Sequence, residues 1–156
     1  MKKLFIIILY FLSLISSLSQ IASVKEMNVE IMTYNFSDPD PLPMLVAQPE
    51  LYPYNKFSTY TNIPSNKNWK VIILENNYLK VEILPEVGGK IWGITEKKSG
   101  YDIIYKNETL KFRNIATRGP WASGGIEFNF GFFGHTPYAA TPVSYHTETT
   151  EDGDAV

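Results

Sequence analysis

Cysteine is absent from all 156 residues, which removes disulfides, thiolate catalysis and cysteine-based metal sites together. Histidine is scarce as well. His135 and His146 stand about ten residues apart with no clustered carboxylates beside them, too little for a metal-ligand set, so neither a metal nor a cofactor is expected. Charge is sparse and nearly balanced, 14 basic against 16 acidic residues for a net of −2. With no basic stripe, nucleic acid drops out as a partner. An apolar run of membrane-spanning length is also missing: "LFIIILYFLSLI" has about a dozen residues, against the roughly 20 a transmembrane helix needs, so no stable membrane span is expected.

What is present begins with Lys2 and Lys3, that same apolar run, and the small-residue stretch "SSLS". The pattern reads as a signal peptide over residues 1–19, with Ser17 and Ser19 at the small positions before cleavage. The expectation is an exported protein, periplasmic or extracellular. Because no cysteine follows, a lipid anchor is excluded, and the absence of disulfides leaves burial to hold the mature chain together. Removal of the leader leaves 12 basic residues against 16 acidic ones, a net of about −4.

Aromatic residues make up 14% of the chain, and there are 10 Gly and 10 Pro. This suits a turn-rich β protein better than a helical bundle. Residues 20–65 carry most of the prolines, in "DPDPLPM", "QPELYPYN" and "NIPSN", and read as an extended, surface-wrapping segment with one early strand at "VEIMTY". Residues 66–156 read as a β domain. "WKVIILENN" opens it, and "YLKVEILPEVGGKIWGITEKKSGYDIIYKN" supplies three more strand candidates in an antiparallel meander. In "LKVEIL", Leu79, Val81 and Ile83 share one face and Lys80 and Glu82 the other. "PEVGG" and "KKSG" are its turns, where Gly88, Gly89 and Gly100 permit positive φ. At the end, "TPVSYHTETTEDGDAV" reads as a strand, an Asp-Gly turn and the start of a return strand, as if a longer protein continued beyond it. His146 falls in that polar strand and is expected to be exposed.

The most concentrated run is "RGPWASGGIEFNFGFFGHTP", Arg118 to Pro137. Taken as a strand, "GGIEFNFG" places Ile126, Phe128 and Phe130 on a core face and Gly125, Glu127, Asn129 and Gly131 on a small, polar one. Glu127 is the only acid between Glu108 and Glu148. In a desolvated aromatic setting its pKa would be pushed up, as a general acid requires. A sugar ring could then stack on Trp121 or Phe133 and bond through its hydroxyls to Glu127, Asn129 and Arg118. An architectural Glu127–Arg118 ion pair is equally compatible, and His135, followed by "TP", fits a turn hydrogen bond as well as proton transfer. The "GG" at Gly124 and Gly125 is no phosphate cradle, since no helix start follows. Asn35 in "NFS" and Asn107 in "NET" match glycosylation sequons.

"LENNYLKVEILPEVGGKIWGITEKKSGYDIIYKN" followed by "RGPWASGGIEFNFGFFGHTP" closely resembles the domain family DUF5107. That family is found in exported proteins of Bacteroidetes-type bacteria, often ahead of tetratricopeptide repeats. The resemblance covers roughly Trp69 to the C-terminus, and the "LPEVGGKI" turn and the "SGGIEFNFG…GHTP" run agree with it in order and spacing. It implies an antiparallel β-sandwich forming part of a galactose-mutarotase-like supersandwich, which binds carbohydrate on one concave sheet. "NNYLKVEILPEVGGKI" is similar to the start of aldose 1-epimerases. Their histidine and arginine motifs are not matched residue for residue, and their catalytic glutamate, which lies late in a chain about twice this length, is not carried over to Glu127.

Three functions fit these residues. One is a carbohydrate-binding domain of an exported glycan-processing protein, with Arg118, Trp121 and Asn129 as ligand contacts. Another is aldose epimerase or glycoside hydrolase activity of a full-length protein, with Glu127 and His135 as the acid–base pair. Hydrolysis needs two carboxylates, so its second would come from the missing C-terminal part of the chain. The third is a structural scaffold.

Overall fold

The computed structural model describes residues 21–38, 43–44, 54–55, 59–115, 119–129, 135–136, 138–151 and 153–156. The signal peptide expected over 1–19, most of the proline-rich stretch, Arg118, Phe130 and Phe133 lie outside the described residues.

The all-β expectation holds. Strands β1 (Ser23–Tyr34), β2 (Pro43–Met44), β3 (Tyr54–Asn55), β4 (Ser65–Glu75), β5 (Leu79–Leu84), β6 (Lys90–Glu96), β7 (Tyr101–Asp102), β8 (Thr109–Asn114), β9 (Pro120–Ala122), β10 (Glu148–Thr150) and β11 (Gly153–Ala155) follow in order. A single 3₁₀ turn, Pro85–Val87, separates β5 from β6. Seven strands form one sheet in the order β7-β6-β5-β4-β1-β8-β9, while β10-β11 and β2-β3 are separate pairs.

The expected meander from β4 to β7 is present and antiparallel throughout. The sheet as a whole is mixed, because β8 returns beside β1 in the same direction, with Met32 opposite Thr109 and Tyr34 opposite Lys111. A purely antiparallel arrangement is therefore corrected: the chain leaves the meander at β7 and crosses back to the far side of β1. The early strand at "VEIMTY" exists, extends back to Ser23, and lies inside the sheet rather than wrapped over its surface. It pairs with β4 over eleven residues, from Ser23↔Glu75 to Thr33↔Ser65. Polar residues dominate it because its outward positions, Glu26, Asn28 and Glu30, are exposed, whereas Val29, Ile31 and Thr33 turn toward the core.

The core lies against one face of the sheet. Trp69, Val71 and Ile73 of β4 meet Leu84, Val87, Trp92, Leu110, Phe112 and Ala122. Burying each of these large side chains stabilises the fold by about 1.5–3 kcal/mol before entropy is counted. The buried Trp69 indole donates to Thr33 Oγ1 at 2.9 Å, and that hydroxyl donates to Ile31 O at 2.9 Å, so both polar groups are satisfied. The sheet curls around this core. β6 and β9 are far apart in strand order, yet Ile91 of β6 exchanges two backbone hydrogen bonds with Ile126 just past β9.

The alternation read in "LKVEIL" is real, with a bulge between Glu82 and Ile83. Its burial is not one-sided. Glu82 lies opposite Ile73 and faces the core side, while Val81 and Ile83, opposite Leu74 and Ile72, line an apolar groove of about 450 Å³ on the other face. The "PEVGG" turn appears as expected, with φ of +66° at Gly88, and "KKSG" closes with φ of +73° at Gly100. The hairpin expected at the end is the β10-β11 pair. His146 is exposed but precedes β10 rather than lying in it.

Candidate functional site

The site is assembled where the curled sheet closes, on the hub formed by residues 85–91. This hub holds two distant segments. On one side Gly88 N donates to Thr141 O and Val143 N to Pro85 O, both at 3.0 Å. A Cβ on Gly88 would lie 2.5 Å from the Tyr138 carbonyl oxygen, so glycine is required for this approach as well as for the turn. On the other side Ile91 pairs with Ile126, and a Cβ on Gly125, whose φ is +68°, would collide with the carbonyl oxygen of Ile91. The two motifs "EVGGKI" and "SGGIE" thus pack backbone to backbone.

"GGIEFNFG" is not a strand. Among its described residues only Ile126 is paired, in an isolated bridge, and 127–129 are irregular. The expected core face is reversed: Ile126 and Phe128 are exposed, Phe128 to 59%, and Glu127 turns inward with its side chain 11% exposed. Period-two reasoning fails here because the positive-φ glycines at 124 and 125 break the extended backbone before Glu127 is reached.

Glu127 gathers three donors or potential donors. Trp121 Nε1 donates to Oε2 at 2.7 Å, Thr136 N donates to Oε1 at 2.7 Å, and His135 Nδ1 lies 3.1 Å from Oε2. Burial pushes the Glu127 carboxyl up, but the hydrogen bonds from Thr136, Trp121 and His135, with the charge of His135, outweigh it and hold the group below its ordinary value. The expected rise is therefore corrected. At neutral pH Glu127 is an anion and an acceptor, unsuited to act as a resting general acid.

His135 is the residue this arrangement leaves chemically open. Its Nδ1 faces Glu127, so Nε2 is the remaining ring nitrogen for a ligand or a proton, and the side chain is 39% exposed. Its backbone sits at φ +55°, uncommon for a residue other than glycine. The imidazole packs edge-on to Trp121, with ring centroids 5.8 Å apart. The structure brings Trp121, Glu127 and His135 together; Asn129 is exposed nearby in sequence, and Arg118 lies outside the described residues, so the alternative Arg118–Glu127 pair does too.

Sequence reasoning missed Lys90. Its side chain is buried, at 2% exposure, and Nζ donates to Ala122 O at 2.6 Å and to Gly124 O at 2.9 Å. The ammonium sits 5.2 Å from the centre of the Trp121 ring. Burial pulls the Lys90 ammonium below the ordinary lysine range, and the charge of Glu127 opposes that fall. Its only sequence signal was a lysine directly after the "GG" turn, at a position where strand alternation does not demand burial. Asn107, read as a sequon, uses its amide to donate to Ser123 O and Oγ at 2.8 and 2.9 Å, bracing the same turn. Among the described residues no group of three or more His, Cys, Asp or Glu side chains is placed to hold a metal.

Comparison with known proteins agrees with this architecture. The crystal structure of a TPR-domain containing protein from Parabacteroides distasonis ATCC 8503 is similar over 84% of this chain, at 31% identity and a TM-score of 0.72. The chain spans 23% of that protein's length. The family model described as domain of unknown function DUF5107 matches residues 47–156, more than half of the chain, and the protein belongs to that family.

Proposed function

We propose that this domain binds carbohydrate, as the mutarotase-like β module of an exported glycan-processing protein, at the rim formed by Trp121, Glu127, Asn129 and His135. The observation that carries the reading is the Glu127–His135 pair beside an indole: an ionised acceptor, an imidazole with one nitrogen left over and an aromatic edge within a few ångströms. Hydroxyl groups need acceptors and donors held in fixed positions, and sugar C–H faces favour aromatic surface.

The test is a titration of the purified chain with a panel of mono- and oligosaccharides, following the Trp121 indole N–H and His135 ring signals by NMR. Saturable shifts with one sugar, weakened by Glu127→Gln, are the expected outcome. Accelerated exchange between anomers in the same samples would add catalysis, with His135 as the proton carrier. A second reading, a scaffold with no ligand, is favoured by one observation: Trp121, Thr136 and His135, all groups of the chain itself, already surround the carboxylate. Absence of any shift across the panel would select it.

A further inference from the structure

The face of the sheet opposite the core has the composition of an interior. In β4 the run "VIIL", residues 71–74, is apolar without a break, the pattern of a strand covered on both sides. Val71 and Ile73 fill the core, while Ile72 and Leu74 turn the other way into the apolar groove. Strand pairing extends them into two cross-strand rows, Leu74 with Val81 and Ile94, and Ile72 with Ile83 and Ile91. All six line the groove, and no lining side chain carries a charge. Phe128, 59% exposed, and Val156, 42% exposed, stand along it.

The apolar area has a polar border. On the same face Glu26 lies opposite Ile72 and Asn28 opposite Lys70, and Lys70 pairs with Glu26 at 3.4 Å. The aliphatic rows are therefore confined to β4, β5 and β6, and β1 beside them is built for water. A contiguous apolar patch rimmed by polar residues marks a surface that meets another part of a protein.

We propose that this groove seats the segment following Val156 in the full-length protein, which lays an apolar face across β4, β5 and β6 as a second layer. Two observations select that occupant. Val156 is itself a lining residue, so a continuation starts inside the groove. The similar crystal structure is that of a protein of which this chain spans 23%, so most of such a protein lies outside the part matched here. Two regular rows of aliphatic side chains suit a covering strand pair, since stacked sheets interdigitate about 10 Å apart. The arrangement also accounts for Phe128, an aromatic side chain turned away from the core into the groove. The inference does not depend on the carbohydrate reading.

Because the 156 residues contain no cysteine, a single introduced thiol at each position reports how open it is. Val81→Cys on the groove floor and Asn28→Cys on the polar border would be made in the full-length product of the reading frame and in the chain ending at Val156. Maleimide labelling at each position is then followed by mass spectrometry. In the full-length protein, position 81 should label at least about a hundredfold more slowly than position 28, as expected where access needs local opening of a packed layer. In the chain ending at Val156 the two rates should lie within about tenfold. Equal labelling of position 81 in the two proteins overturns the proposal, as does a reading frame that stops at Val156. Protection that appears only as concentration rises, with a dimer seen by light scattering, assigns the groove to a second copy and overturns it as well. Should Val81→Cys fail to fold, Ile83→Cys replaces it and is read in the same way.

Discussion

Two carboxylates in this domain, Glu82 and Glu127, look alike in exposure, 15% and 11% for their side chains, and differ in everything that surrounds them. Glu82 sits on the regular strand β5. Lys80 Nζ donates to its Oε1 at 3.1 Å, and Lys106 Nζ donates to its Oε2, with Gly93 leaving room for the approach. Burial raises its pKa, and the hydrogen bonds and charges of Lys106 and Lys80 lower it further than burial raises it. Glu127 sits on irregular backbone, bonded to an indole, a main-chain N–H and an imidazole, with no lysine hydrogen-bonded to it among the described residues. The lesson is that a carboxylate answered directly by lysines is a fixture of the sheet. One answered by weaker donors keeps an imidazole poised beside it, and that is where ligand chemistry is to be sought.

The comparison breaks most completely at Gly125. Gly125→Ala puts a side chain at φ +68° against Ile91 O and is expected to cost about 3 kcal/mol. Urea denaturation gives the size, and NMR should show the Glu127 surroundings perturbed while the Lys80–Glu82–Lys106 cluster keeps its shifts. Next in size is Glu127→Gln, which turns an amide donor toward either the Trp121 or the Thr136 N–H and should cost about 2 kcal/mol. Glu82→Gln, which removes the anion from between two partly exposed lysines, should cost about 1 kcal/mol. A larger loss at Glu82 than at Glu127 would invert the comparison.

Salt and pH sharpen it further. Both carboxylates are held below the ordinary value of 4.5 in the folded state, so each contributes stability that is present above the unfolded value and lost as pH falls through the folded one. Acid denaturation curves should therefore descend below about pH 4.5, and each Gln variant should flatten that descent. At 1 M NaCl, where the screening length is about 3 Å, the cost of Glu82→Gln should shrink more than that of Glu127→Gln, because two of the three partners of Glu127 are the uncharged Trp121 indole and Thr136 main-chain N–H. The smallest effect belongs to Asn129→Ala. Exposed as it is, its loss should change stability by less than about 0.5 kcal/mol, and a weaker sugar titration would mark it as a ligand contact.

Much of the fold was legible because its signals are local. Alternation in "LKVEIL", the Gly88–Gly89 and Gly100 turns and the final hairpin each depend on a few neighbouring residues. The direction of β8 was not, since a parallel neighbour to β1 depends on where the chain re-enters the sheet after β7. In the site, Trp121, Glu127 and His135 stood close enough in sequence to be grouped by their chemistry. Their states were not readable there. Whether burial raises a carboxyl or donors lower it is a balance between opposed effects, and the donors Thr136 and Trp121 reach Glu127 through a backbone bent at Gly124 and Gly125.

Composition and short-range pattern were thus enough to decide an all-β chain and its principal turns, because propensity and turn geometry act over a few bonds. Tertiary structure alone decided which way Glu127 and Phe128 face, that the Glu127 carboxyl is lowered rather than raised, and that Lys90 is buried against the Ala122–Gly124 turn. Each of those depends on the curl that carries β6 to β9, and a burial or a countercharge exists only once segments distant in the chain have met.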